Sequence, residues 1–460
     1  MKSPLTFAQT GRSGWARLSS YARPGATERG SVLVMVIWIC LGLVALTLYF
    51  ADSMTSELRA ADNRAAEIAA RQAVAGGTRY AAYVLSQYAT DGTVPDYNDY
   101  ESEELPIGEA SVWFIGRDPS QVAGSDPVFG LVDEASKLNL NTASRTMLEA
   151  LPNITPELVE AIISWRSRNA AGTGDSTYGR LDPPRVNKGA PFESVDELRL
   201  VYGATLDLLW GEDTNRNGAL DDNENDSEQS APRDNGDGLL QAGILEYVTI
   251  YSREPNTRAN GGRRVNVSTA ANREQVRPAL SQRFGQARAN QILLAIGTQQ
   301  INSIAEFMVR GRLTADEWAQ IRSEITTSNG ATIQGLINVN TASETVLACI
   351  PGIGIENAAA IVAYRLANPD LQGSFFWLTE VLPPASLIRA GQYLTDRSYQ
   401  FSADVAAVGL SGRGYCREKT VFDLTQGTPR IVYHQDLTAY GWALGYQVRQ
   451  TVREARERRT

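Results

Sequence analysis

The chain reads as an α+β protein. A long N-terminal helix, transmembrane in its first half, packs on a small antiparallel sheet, and a large α-helical domain is inserted between the strands of that sheet. Three observations predict this. Gly30 is followed by twenty residues without a charge, Ser31 to Phe50. Strand-like patterning occurs around residues 109–132 and returns only after residue 393. Between the two lie short helical stretches that carry a recurring phrase.

Twenty helical residues rise about 30 Å, the thickness of a bilayer core. Ahead of them, residues 1–30 form a leader holding Lys2, Arg12, Arg17, Arg23 and Arg29 against Glu28 alone. The positive-inside bias keeps that leader cytoplasmic and places everything after Phe50 on the other side. A secretory signal would have a shorter core and a small-x-small site behind it. Here residues 31–50 span the membrane and the helix runs on, with no proline from Asp52 to Gln87. Leu58, Ala61, Ala65, Ile68 and Ala69 recur at three- and four-residue steps, one face of a helix that packs in a bundle.

Residues 51–136 complete the helix and add the first strands. Glu109–Ile115 and Val128–Val132 read as strands after an acidic, aromatic loop from Asp91 to Leu105. Residues 137–392 form the inserted helical domain. Leu138-Asn-Leu-Asn-Thr-Ala143, Val265-Asn-Val-Ser-Thr-Ala270 and Ile337-Asn-Val-Asn-Thr-Ala342 are three copies of one phrase. Asn and Thr side chains there suit a helix start, and Thr341-Ala-Ser-Glu344 has capping-box spacing. The third copy continues through Cys349-Ile-Pro-Gly-Ile-Gly354 to Ala358–Arg365, a helix-hairpin-helix whose glycines permit a tight turn. The middle copy is degenerate, with Pro278-Ala-Leu where its hairpin should form. Residues 393–448 return to strands at Ser398–Val405, Lys419–Leu424 and Pro429–Tyr433. Residues 449–460 are a charged tail, expected to be disordered.

The net charge of −9 opposes a phosphate-binding surface. In the third hairpin Glu356 stands directly after the glycines, and no lysine lies within ten residues. The hairpins therefore read as packing modules, and no nucleic acid is expected. The rival is a membrane-anchored helix-hairpin-helix DNA receptor of a competence-like uptake system, which carries a similar Asn-x-Asn-x-Ala phrase. An enzyme is poorly supplied: the chain has one histidine, His434, in a strand-like run, and no phosphate loop or Cys-x-x-Cys. Of the three cysteines Cys40 lies in the membrane run, and Cys349, on an apolar helical pattern, reads as a buried thiol. A Cys349–Cys416 pair is the alternative that the compartment permits.

Glu212 to Asp237 holds nine carboxylates and two arginines. Within it Asp213, Asn215, Asn217, Ala219, Asp221 and Glu224 fall at positions 1, 3, 5, 7, 9 and 12 of a calcium loop, with Gly218 at position 6. Calcium takes six to eight oxygens, and this spacing wraps side-chain oxygens and the Ala219 carbonyl around one ion. A structural Ca²⁺ is expected; a solvated acidic linker is the alternative.

The leader, the span and the helix that continues it resemble the type IV pilin-like family. That resemblance implies a prepilin peptidase cutting at Gly30, making Ser31 the first mature residue. Most members carry a glutamate at mature position five, where Met35 stands here. With Val132-Asp-Glu134-x-x-Lys-Leu-Asn-Leu-Asn141, Ile163-Ser-Trp-Arg166 and Pro191–Gly203, the chain is similar to the K-type minor pseudopilins of type II secretion. The resemblance implies a tip subunit that joins minor pseudopilins I and J and other pseudopilins and starts pseudopilus assembly for protein export. It also implies calcium in the inserted domain and a single-pass inner-membrane protein, N-terminus cytoplasmic and bulk periplasmic.

Overall fold

The computed structural model describes residues 30–117, 126–168, 176–227, 229–371, 373–409 and 412–457. The leader's basic residues therefore lie outside the described residues, and Gly30 and Ser31 open the first helix, α1 (Gly30–Ser86). The chain divides into two compact units, residues 1–62 and 63–460. In the first, the apolar side chains from Val32 to Phe50, Met35 included, are exposed, and the helix is long and apolar enough to cross a membrane.

The second unit is built on an antiparallel sheet of β1 (Leu105–Ile107), β2 (Ala110–Phe114), β3 (Val132–Asp133), β4 (Gln400–Gly409), β5 (Arg413–Asp423) and β6 (Arg430–Asp436). Its order is β1-β2-β4-β5-β6, with β3 also paired to β4. Val405 lies opposite Phe114, Phe401 opposite Asp133, and Ala407 opposite Cys416. All ten residues of β4 are buried, because both faces are covered.

On one face the C-terminal part of α1 packs Ala70, Ala73, Val74, Ala81 and Leu85 against Val112, Phe114, Phe401 and Val405. Small residues allow the close approach: a Cβ on Gly77 would lie 2.8 Å from Val405. The expected stripe is a different face, since Leu58, Ala61, Ala65 and Ile68 are exposed.

The other face holds Trp113, Ile115, Ala406 and Val408 under Ala443, Leu444, Val448 and Val452. The last two belong to a C-terminal helix spanning Gly445–Glu457. This corrects the expectation of a disordered tail. Two valines one turn apart give a charged segment an apolar strip, and the sheet supplies its partner.

Between β3 and β4 the helices form three similar units. The first contains α2 (Arg145–Glu149) and α3 (Pro156–Arg166), the second α4 (Arg277–Phe284) and α5 (Gln286–Ile296), and the third α6 (Glu344–Ala348) and α7 (Gly354–Ala367). The fold is thus mixed α and β, with a helix-hairpin-helix insertion. Each phrase begins as a two-residue strand paired in parallel with one that closes its unit: Leu138–Asn139 with Val248–Thr249, Val265–Asn266 with Ile325–Thr326, and Ile337–Asn338 with Leu394–Thr395.

An arginine then ties each phrase down, buried in the second and third units and half-buried in the first. Arg166 donates to the carbonyls of Leu140 and Ala143, Arg365 to those of Val339 and Ala342, and Arg273 to those of Val267 and Ser268. In the first and third units the helix caps are Ser144 and Ser343, not the preceding threonines, and Glu344 starts α6 instead of closing a capping box, whereas in the middle copy Thr269 is the cap. Thr341 is drawn away because its hydroxyl donates to Asp133 at 2.5 Å. The middle hairpin also forms, turning at Gly285 (φ +83°). Pro278 sits in the first turn of α4, where no N–H is needed.

Cys349 and Cys416 are buried free thiols, which removes the pairing alternative. His434 lies on β6 with its Nε2 2.9 Å from Glu418.

Candidate metal centre

The acidic loop follows a short helix, Leu206–Trp210, and is closed at its base where Glu212 N donates to Gln241 O and Gly243 N to Trp210 O. Gly211 is required there: with φ +63°, a Cβ would fall 2.1 Å from Gln241 O. Asp213, Asn215, Asn217, Ala219 and Glu224 are buried and Asp221 is half-buried, so the loop is not a solvated linker.

Side chains organise the loop from within. The Asp213 carboxylate accepts from Asn217 N (3.0 Å) and Gly218 N (2.9 Å). Asn215 Oδ1 accepts from Asn217 N (3.0 Å), and Asn217 Oδ1 from Ala219 N (2.7 Å). Asp221 Oδ2 takes both amide nitrogens, from Asn215 (2.5 Å) and Asn217 (3.0 Å). Glu224 reaches back from position 12 to Thr214 N (3.1 Å) and Asp221 N (3.2 Å). All six expected residues thus share one turn of chain.

The three carboxylates of the loop are all held above their ordinary range. Burial pushes Asp213 up, against the opposing charge of Arg117, and burial also raises Asp221. Glu224 is pushed up to about 8, first by burial and then by the charge of Asp213. A divalent ion would relieve this by favouring the ionised forms. No three Asp, Glu, His or Cys side chains converge on one point among the described residues. A cation here would draw on amide and carbonyl oxygens too, as calcium does and as zinc generally does not. When bound, such an ion supplies structural cross-linking; Asp213, Asp221 and Glu224 would carry the charge, and Asn215, Asn217 and Ala219 the neutral donors.

Two groups at this site left no trace in the sequence pattern. Arg117, beyond the end of β2, donates to Arg216 O and Asn217 O at 3.0 Å each, and to Glu246 at 2.7 Å. Burial opposes ionisation of Glu246, but the Arg117 charge prevails and holds it down at about 2. Arg417 on β5 donates to Asn215 O (2.5 Å) and Arg216 O (2.8 Å). They lie 99 and 201 residues from Arg216, so no local motif connects them to it.

The third hairpin is a second feature that the sequence singled out. Gly352 (φ +101°) faces the short helix Pro384–Ala390, where an added Cβ would lie 2.7 Å from Ser386 O. Its glycine is a packing requirement. Gly354 (φ +69°) faces open space, with Ile355 exposed beside it.

Residues 333–372 match the family of the helix-hairpin-helix motif. No curated protein matches the chain. Among solved structures the chain is similar, at 10% identity and a TM-score of 0.37, to a chain of the GspK-GspI-GspJ complex from the Type 2 Secretion System of enterotoxigenic Escherichia coli, over 84% of this chain and 99% of that one.

Proposed function

We propose that the chain is a minor pseudopilin at the tip of a type II secretion pseudopilus, where it nucleates assembly with minor pseudopilins I and J and supports protein export. The observation that carries this reading is α1. Its first half is an exposed apolar helix with Met35 at mature position five, and its later turns pack on a sheet interrupted by a large helical insert. A carboxylate in lipid is costly unless paired. A helix that lacks one has no group to engage the terminal amine of a neighbour. An insert of more than half the chain suits a filament's end better than its repeating shaft.

On this reading a prepilin peptidase cuts between Gly30 and Ser31, the span sits in the inner membrane, and the sheet and insert are periplasmic. The subunit is structural and not an enzyme, with Ca²⁺ held by Asp213, Asn215, Asn217, Ala219, Asp221 and Glu224. The test is co-expression of the full chain with prepilin peptidase and I- and J-type subunits. A mature chain beginning at Ser31 that co-purifies with both supports the proposal. An intact leader, or purification of the chain alone, overturns it.

A further inference from the structure

The 213–224 loop has two sides with different jobs. Its inner side holds the side chains described above. Its outer side presents three consecutive carbonyls, of Asn215, Arg216 and Asn217, and all three accept from arginines outside the loop. The left-handed conformation of Arg216 (φ +59°) and Gly218 (φ +74°) makes this display possible. Such a conformation is unfavourable for arginine and persists only where surroundings enforce it.

The arginines are themselves fixed. Arg417 is fully buried and held by Asp404 of β4 through Nε (2.8 Å) and Nη2 (2.6 Å). Arg117 is held by Glu246 of the insert, and it lies so close to the loop that a Cβ on Gly218 would come within 2.6 Å of its Nε. A third tie runs from Asn215 Nδ2 to Trp442 O at 3.1 Å, just before the C-terminal helix. Arg117 precedes the insert in sequence, whereas Arg417 and Trp442 follow it. The loop therefore touches chain on both sides of the insertion, with Arg417 itself in the sheet.

We propose that the loop is a cation-dependent fastener between the helical insert and the sheet, with Arg417 and Arg117 as its positioning residues. The inference rests on the cation reading of the loop. A cation gathered by the inner side chains fixes the loop backbone. The fixed carbonyls then dock on two guanidinium groups, one held by Asp404 of the sheet and one, from the end of β2, held by Glu246 of the insert. Coupling runs both ways, because what stabilises the docked loop also favours the ion that shapes it.

The experiment uses the full chain in detergent, with terbium luminescence for cation affinity and amide hydrogen exchange for docking. Terbium or calcium is expected to slow exchange both in residues 213–224 and in β4 and β5. Arg417→Lys keeps the charge but not the fork, and is expected to weaken the cation about tenfold or more, as loss of an outer-shell partner does. Because Arg417 is buried, Arg117→Gln serves as a second variant, with unchanged exchange in α7 as the check on folding. If the cation binds but β4 and β5 exchange as before, and both variants bind with parental affinity, the fastener is overturned while the cation reading stands. If the unaltered chain binds neither terbium nor calcium, both fall together.

Discussion

Asp133 shows how one residue can join two parts of a fold. It lies on β3 and accepts from Ala135 N (2.7 Å), Ser398 Oγ (2.6 Å), Thr341 Oγ1 (2.5 Å) and Asn338 Nδ2 (3.2 Å). Burial outweighs these donors and raises its pKa to about 6. The folded state thus holds this proton more tightly than the unfolded chain. The stabilisation is full below about pH 4 and is lost as pH rises through about 6, a change of about 3 kcal/mol. Asp133→Asn should flatten that slope in denaturant titrations between pH 4 and 7, since the two hydroxyls can turn to donate or accept. The hairpin glycines separate in the same way. Gly352→Ala combines a left-handed backbone with a clash and should cost more than about 2 kcal/mol, against about 1 kcal/mol for Gly354→Ala, which meets only the backbone penalty. Thermal midpoints of the two variants would decide it.

At the scale of elements, the repeated arginine anchor is the device that makes a helix pair out of each phrase. Arg365→Met leaves the carbonyls of Val339 and Ala342 without that donor, and should lower stability by about 3 kcal/mol in chemical denaturation. How much of this was legible follows from range. The phrases and the third hairpin are local patterns, and each is readable in the sequence. The middle hairpin was misread because Pro278 looks like a breaker, although in a first turn it is harmless. The C-terminal helix was misread because Val448 and Val452 are too few to show a face until the sheet beneath them is known. In the candidate site the twelve-residue spacing was visible, whereas Arg117 and Arg417 were not. Hydrogen bonds spanning a hundred residues leave no periodicity.

For the whole molecule, calcium at a hundred times its dissociation constant should add about 2.7 kcal/mol to the unfolding free energy. Chelation should lower the thermal midpoint accordingly, and an unchanged melt would remove the metal from the proposal. The hairpins, read as packing modules, should give no salt-sensitive retention of DNA in gels; retention that weakens steeply with salt would return the uptake-receptor reading. A last consequence lies in the order of assembly. β2 and β3 end by residue 133, yet both pair with β4, which begins at Gln400. During synthesis the first strands therefore wait for a partner that arrives more than 260 residues later. The helical units, whose contacts are nearer in sequence, can close first. The sheet is the last part to be completed, so a chain stopped short of β4 would carry a folded insert on an unpaired stem.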